Sequence, residues 1–297
     1  MEDFYFYFAQ VVDGIAYGSI YGVVALSIVL LYRANKMFNF AQTEIAMFFV
    51  IMAVLLTRKM DYTWAFLLTI ILSFIGGGLL HIGVMRFITE RRNVLSSNQA
   101  VVTIGFFTIF NSLNNYLFGD EPEAFPTPFG TDVFKLGGLA VSHHSIGILA
   151  VSWGLLVLIF CFFRFTRIGM IFDAVSENVT AARLRGIRAS NILAMAWGLT
   201  VATSTMGGML IAPILFVTPN MLINIYAYAL IAVVVGGMES PLGALLGGII
   251  VGVVENLASN ASMIGSELKF LVVMFLLIAM LIVKPRGLWG RSEARRV

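Results

Sequence analysis

VVDGIAYGSIYGVVALSIVLL, residues Val11–Leu31, carries a single aspartate and no other charged side chain. As a helix rising 1.5 Å per residue it reaches about 30 Å, the thickness of a bilayer's hydrocarbon core. Its reading decides the fold class because the pattern recurs. Apolar runs follow at Phe38–Leu56, Trp64–Met85, Ala100–Phe118, Ser145–Phe163, Asn191–Pro213, Met221–Val235, Gly243–Ala258 and Leu268–Val283. The whole chain agrees with them. Of its 297 residues 59% are hydrophobic and 12% charged, against roughly a quarter charged in soluble domains, and its mean hydropathy is +0.92. The residue-by-residue alternation of a membrane barrel is absent. The expected fold is all-α: a polytopic integral membrane protein with eight or nine transmembrane helices in a single domain over residues 1–297.

Charge sets the expected orientation. Lys284, Arg286, Arg291, Arg295 and Arg296 of the tail stand against Glu293 alone, and residues 164–190 hold a second cluster of arginines. Arg91, Arg92 and the Arg33–Lys36 turn fall on the same side if nine spans alternate. Glu2, Asp3, Asp120, Glu121, Glu123 and Asp132 fall on the other. By the positive-inside rule the N-terminus is outside and the C-terminal tail, 284–297, is cytoplasmic; residues 119–144 form an external loop. Arg58 and Lys59 break the pattern. The seventh and eighth runs are the shortest and are joined by GGMESPLG, so a broken or re-entrant pair is an alternative to two full crossings. The aromatics of MEDFYFYFAQ suit a membrane interface, and no cleavable signal is recognisable there.

Several chemistries lack residues to carry them. Cys161 is the only cysteine, and His81, His143 and His144 have no partner at metal-ligand spacing. No GxxxxGK[ST] phosphate loop occurs, so if ATP drives this protein another chain binds it. What the spans do carry is glycine and a few polar groups. Gly14, Gly18 and Gly22 share one helix face, and Gly243, Gly247, Gly248 and Gly252 repeat the device. Such faces let backbones approach closely, either within the subunit or between subunits. Beyond the aspartate at the start of the first span, ionisable residues inside the spans are few: Glu44, His81, Glu255 and Lys269, where a charge costs roughly 2.5–3.5 kcal/mol on insertion scales. Asn39, Gln42, Thr43 and Glu44 crowd the start of the second span, and Asn111, Ser112, Asn114 and Asn115 the end of the fourth. Polar groups at that depth need protein, water or cargo as partners. Both groups are candidate walls of a substrate route.

One stretch does not belong among the spans. RIGMIFDAVSENVTAARLRGI, Arg167–Ile187, is of mixed charge. Ile171, Val175, Val179 and Ala182 repeat at helical spacing, while Asp173, Glu177, Arg183 and Arg185 lie largely off that stripe. Ser176 or Asn178 can cap a helix, and Gly186 followed by Ile187 fits a Schellman ending. The expected element is a short amphipathic helix or helix pair on the cytoplasmic side. It can lie on membrane lipid or dock a partner protein; the modest apolar stripe favours the partner.

Four blocks together resemble a known family. DGIAYGSIYGVVALSIVLLYRANKMFNFAQTEIAM near the start, DAVSENVTAARLRGI in the interrupting stretch, VVVGGMESPLGALLGGIIVGVVE and VKPRGLWG are similar, in that order and nearly end to end, to permeases of the branched-chain amino-acid ABC importers, the LivH-like subunits. The resemblance implies a non-enzymatic permease subunit of the bacterial inner membrane. It pairs with a second LivH- or LivM-type permease, two cytoplasmic ATPases and a periplasmic substrate-binding protein; nucleic acid has no part. No cofactor sits on this chain, ATP and Mg belonging to the ATPases. The docking loop carries over onto Ala174, Asn178, Ala181, Ala182, Gly186 and Ile187. Two positions depart from the family pattern: Phe172–Asp173 stand where a basic residue often precedes the matched alanine, and Val179 stands where proline often follows the asparagine. That implies an altered charge pairing to the partner. Family cargoes include urea, amides and aromatic acids besides branched-chain amino acids. The other reading of the same spans is an ion-coupled secondary transporter or channel using Glu44 and Glu255.

Overall fold

The computed structural model describes residues 2–88, 96–119, 121–130, 133–136, 139–260 and 265–290. Arg91, Arg92, Asp120, Asp132, Arg291, Glu293, Arg295 and Arg296 of the charge argument lie outside the described residues, as do the side chains of Glu2 and Asp3. In chain order the helices are α1 (Glu2–Asn35), α2 (Gln42–Thr57), α3 (Tyr62–Leu80), α4 (Ser96–Phe118), α5 (His143–Phe165), α6 (Arg167–Glu177), α7 (Val179–Leu184), α8 (Ala189–Leu215), α9 (Met221–Gly236), α10 (Pro241–Asn260) and α11 (Gly265–Val283). Each of the nine apolar runs is thus a helix, and the charged stretch is α6 and α7. Among the described residues, six helices are long and apolar enough to cross a membrane: α1, α3, α4, α5, α8 and α10. α2 and α9 are apolar but have 16 residues each, about 24 Å of helix. α10 extends to 20 residues, longer than its apolar run, because Pro241 opens it and the polar Ser259 and Asn260 still belong to it.

One element departs from an all-helical chain. Within the expected external loop β1 (Val133–Leu136) pairs antiparallel with β2 (Leu139–Ser142), Phe134 opposite Val141. The signal is present in the sequence: VFKL and LAVS, rich in β-formers, flank a Gly-Gly pair, a dipeptide pattern that marks hairpins.

The chain packs as two compact units. One consists of Met1–Val29, Thr127–Leu156 and Asn224–Val297. Its central contact is α1 against α10 through glycine. A Cβ placed on Gly14 would lie 2.7 Å from the Val253 Cα, and one on Gly18 2.6 Å from the Gly248 carbonyl oxygen. A Cβ on Gly248 would in turn strike the Gly22 backbone, and one on Gly252 the Gly18 backbone. The glycine repeat of the sequence is therefore an internal seam of this unit. At the start of α1, the Gln10 carbonyl and side-chain oxygens accept hydrogen bonds from Asn256, the latter also from Asn260, which fixes the end of α10 there.

The same unit closes α9 with the chain's last described residues. Leu288 N–H donates to Val235 O at 2.8 Å and Trp289 N–H to Gly236 O at 3.0 Å. Helix ends leave their final carbonyls without intrahelical donors, and VKPRGLWG supplies two of them. The fit demands glycine: Gly237 has φ +111° and Gly287 φ +79°, and a Cβ on Gly287 would meet the Gly237 nitrogen at 2.5 Å. Two of the four sequence blocks that carry the family resemblance are therefore one piece of structure.

The second unit consists of Leu30–Pro126 and Val157–Ile223. Here α3 packs on α8 with its small and polar side inward. Ala65, Thr69, Ser73 and Gly77 are buried, whereas Trp64, Ile71, Ile75 and Leu79 are exposed. That inversion of the soluble pattern is expected where lipid is the solvent and small residues let helices meet. Gly77 faces the Trp197 carbonyl and Gly198 the Phe74 carbonyl, each leaving no room for a Cβ. The inward stripe continues to His81 and Met85. A repeat of four residues creeps around a helix of 3.6 residues per turn. The wider π-turn at His81–Met85 offsets that creep and keeps both side chains inward.

At one end of this unit Arg58, the residue that breaks the charge pattern, donates to both Glu123 carboxylate oxygens at 2.6 Å. Glu123 also exchanges backbone hydrogen bonds with Val217 after α8. The misplaced arginine is thus neutralised by the acidic loop on its own side.

Candidate functional site

The two polar groups singled out in the sequence, seventy residues apart, come together in the second unit. Glu44 sits in the first turn of α2, where the helix N-terminus favours an acid. Asn111 Nδ2–H donates to its Oε2 at 3.2 Å, and Asn114 Nδ2–H to the Glu44 carbonyl at 3.0 Å and to Oε2 at 3.3 Å. Asn111 Nδ2–H also donates to Asn220 Oδ1 at 2.9 Å. α2 and α4 thereby meet at one carboxylate, and Asn111 links it to the turn before α9. Glu44 and Asn114 are buried, and the Asn114 Oδ1 has no hydrogen-bond partner among the described residues.

The other candidates divide. Gln42 reaches α8, its Nε2–H donating to Ser204 Oγ at 2.8 Å. Asn39 turns the chain into α2, its Oδ1 accepting from Ala41 N–H at 3.1 Å. Asn115 folds back on Asn111 O at 2.8 Å, one helical turn away. Thr43 is buried beside Glu44 without joining its bonds. Asn220, which meets Asn111, and Ser204, which meets Gln42, escape sequence reasoning: a single asparagine in a turn and one serine among the small residues of α8 carry no periodic signal. Asn114→Leu removes a fully buried donor pair; unsatisfied buried groups cost about 1–3 kcal/mol. The variant is expected to unfold at a clearly lower temperature in detergent, and an unchanged midpoint would dissolve the cluster as described.

Arg167–Ile187 folds from its own capping signals. Thr166 Oγ1 accepts from Gly169 N–H at 3.0 Å and starts α6; Asn178 Oδ1 accepts from Ala181 N–H at 2.9 Å and starts α7. Such caps contribute about 1 kcal/mol each. Ser176, the other expected cap, donates to Asp173 O inside α6 instead. α7 ends as its sequence announces: Gly186 has φ +80°, its N–H donates to Arg183 O, and Ile187 N–H donates to Ala182 O. Those two bonds are the Schellman pair.

The buried side of the pair is Gly169, Phe172, Val175 and Ala182, with Ile171 and Val179 half-buried. Val175, Ala182 and Ala189 form a small core of their own, against which Val179 and Ile187 pack. Phe172 is drawn into the larger core with Leu31, Met85, Leu193 and Trp197. Its ring meets Phe163 edge-on at 4.8 Å, and Phe163 also lies under the Arg33 guanidinium. Arg33 in turn donates to Asp173 Oδ1 at 2.7 Å. The two residues that depart from the family pattern, Phe172 and Asp173, are both engaged within the chain, holding α6 to the end of α1. What the pair leaves outward is Met170, Ala174, Glu177, Asn178, Ala181, Arg183, Leu184 and Arg185.

Glu255, the other carboxylate weighed for ion coupling, is held in the first unit. Tyr21 O–H donates to its Oε2 and Lys269 Nζ to its Oε1, both at 2.6 Å. Tyr21 stacks on Tyr228 at 5.0 Å. Each carboxylate thus sits in a local hydrogen-bond set.

The comparisons with known proteins agree with this picture. The family model described as "Branched-chain amino acid transport system / permease component" matches residues 10–281. The high-affinity branched-chain amino acid transport system permease protein LivH of Salmonella typhimurium is 29% identical over 313 residues, covering 100% of this chain and 99% of its own. LivH of Escherichia coli K12 is likewise 29% identical over 313 residues. The permease protein BraD of Pseudomonas aeruginosa is 27% identical over 311 residues, with all of both chains covered. A match that runs from residue 10 in α1 to residue 281 in α11, over a multi-pass membrane protein interrupted once by a folded helix pair, places this chain in the family of branched-chain amino acid transport permease components.

Proposed function

We propose that the chain is the permease subunit of an ABC importer and forms half of the translocation path for branched-chain or other hydrophobic amino acids, or related small polar solutes. It has no catalytic site of its own. ATP and Mg are bound by two ATPase chains, a second LivH- or LivM-type permease completes the path, and a periplasmic binding protein delivers the cargo. The chain spans the bacterial inner membrane with eight or nine helices, N-terminus outside and C-terminus in the cytoplasm. The polar set of Glu44, Asn111, Asn114 and Asn220 is the proposed wall of the route.

The observation that carries the reading is the α6–α7 pair. It is anchored by its buried face and by Arg33, and it turns outward an apolar Leu184, 86% exposed, among Arg183, Arg185 and Glu177. An apolar anchor ringed by charge on a rigid mount suits a protein groove. ATPase closure would push on this mount and move α1 and α8 with it.

Gly186→Pro tests it. Proline fixes φ near −65° and has no N–H, so the +80° turn and the bond to Arg183 O are both lost. In proteoliposomes with the cognate ATPases and binding protein, substrate-stimulated ATP hydrolysis is expected to drop about tenfold or more, some 1.4 kcal/mol of coupling, with membrane levels unchanged. Arg183→Glu and Arg185→Glu should do the same. Normal stimulation in all three, or uptake by the purified chain alone on an ion gradient, refutes the proposal.

A further inference from the structure

Among the described residues two carboxylates are buried, Glu44 and Glu255. Glu255 has a cation, Lys269, on its Oε1. Glu44, 1% exposed, has none among the described residues. Its carboxylate accepts only from the neutral amides of Asn111 and Asn114, both on Oε2, and Oε1 accepts from no described residue. Buried charges are as a rule paired or hold a cation, and an ionisable group within a membrane span is a functional site by default. The sign of this site is therefore negative and uncancelled.

The neighbouring polar atoms add acceptors. Asn114 is 0% exposed, and its Oδ1 has no donor among the described residues. Turning that amide over would aim its oxygen at the Glu44 carboxylate, so the assignment is fixed by charge. Asn220 Oδ1 takes one hydrogen bond, from Asn111, of the two a carbonyl oxygen can accept. A single nitrogen, Asn111 Nδ2, already bridges Glu44 Oε2 at 3.2 Å and Asn220 Oδ1 at 2.9 Å. It marks where a donor belongs, but it is neutral. Asn111 is half-buried and Asn220 exposed, so the site opens on this side.

A primary ammonium supplies what is missing. It carries the opposite charge and three donors, to match Glu44, Asn114 Oδ1 and Asn220 Oδ1. Calcium and magnesium take six or more oxygens. Phe48, one helical turn beyond Glu44, meets Phe110, one turn before Asn114, edge-on at 5.9 Å; the two rings offer an apolar side for a short aliphatic body. We propose that Glu44 anchors the ammonium group of a small aliphatic amine, whose nitrogen displaces Asn111 Nδ2 from between Glu44 and Asn220. Charge-assisted hydrogen bonds are roughly twice as strong as neutral ones, which favours that exchange. The ligand needs no carboxylate, and solutes without an ammonium, such as urea, amides and aromatic acids, are refused here. That the site selects cargo rests on the route proposed above; its binding does not.

The test uses the full chain in detergent and an amine-free buffer at fixed ionic strength, with its thermal unfolding midpoint followed. Isopentylamine, leucine, isovalerate and sodium chloride are the titrants. Isopentylamine and leucine are expected to raise the midpoint saturably, isovalerate and sodium chloride not at all. Glu44→Gln keeps the shape and removes the charge; it should weaken isopentylamine binding at least tenfold, the equivalent of 1.4 kcal/mol. Should that variant fail to fold, Asn111→Lys, at a half-buried position, sets a tethered ammonium beside Glu44 and should abolish the response. No saturable shift with isopentylamine, an equal response to isovalerate or sodium chloride, or unchanged affinity in the folded variants overturns the proposal. Neither ATPase nor binding protein is present, so an amine response beside failed coupled uptake faults the functional reading alone. Coupled uptake without an amine response faults this site alone.

Discussion

Gly248→Leu is expected to leave little folded protein in the membrane. Its Cβ alone would collide with the Gly22 backbone and lie 2.6 Å from the Gly18 carbonyl oxygen. Neither neighbour is the tip of a flexible side chain, so α1 and α10 must separate along their length. Overpacking a core costs about 1–3 kcal/mol and occasionally more; backbone against backbone belongs at or above the top of that range. Separation would also disturb the neighbouring contacts of Gly14 and Gly252. Gel filtration of the detergent-extracted protein should show a collapsed monodisperse peak. Gly105→Ala is the control: it lies in α4 with nothing within 4 Å of a new Cβ, and helix-interior Gly→Ala at such a site stabilises by about 0.4–1 kcal/mol. If Gly248→Leu behaves like Gly105→Ala, the seam does not hold the unit together.

The second large effect is at Glu255. Lys269→Met leaves a carboxylate that is 8% exposed with the hydroxyls of Tyr21 and Tyr228 as its remaining partners. Breaking a buried pair by removing one member costs about 3–5 kcal/mol. Lys269 keeps 35% exposure, so water already screens part of the pair and about 2–3 kcal/mol is the better expectation. Adding Glu255→Gln removes the stranded charge and should restore most of the lost stability, since an ion pair replaced as a whole is often neutral. The double-mutant cycle in detergent separates the pair from its surroundings. Coupled transport in the doubly substituted protein should persist. Loss of transport with restored stability would instead make Glu255 a working carboxylate, as the ion-coupled reading requires.

Periodicity and local capping are legible in the residues themselves. All nine apolar runs are helices, Gly186–Ile187 closes α7 with the bonds its sequence calls for, and the glycine repeats mark a close helix contact. What stays hidden in a sequence is partnership across distance. Nothing near Arg33 names Asp173, 140 positions away, so Asp173 reads as a charge offered to another protein. Nothing near Arg58 names Glu123, so Arg58 reads as a violation. The stripe from Ala65 to Met85 escapes because its period, four, lies between familiar patterns and its members are too chemically mixed for a hydropathy argument. The convergence of Asn111 and Asn114 on Glu44 is half legible. Residue type flags both groups, while only the fold brings them to one carboxylate.

The closing of α9 by Leu288 and Trp289 bears on how the protein is made. α9 leaves the ribosome more than fifty residues before its two donors do. Throughout the insertion of α10 and α11 its final carbonyls must borrow water or lipid headgroups. A nascent chain that stalls after Val283 therefore carries every membrane helix and still lacks the lock on one of them. Such a product offers a quality-control protease an open helix end that the finished protein never shows.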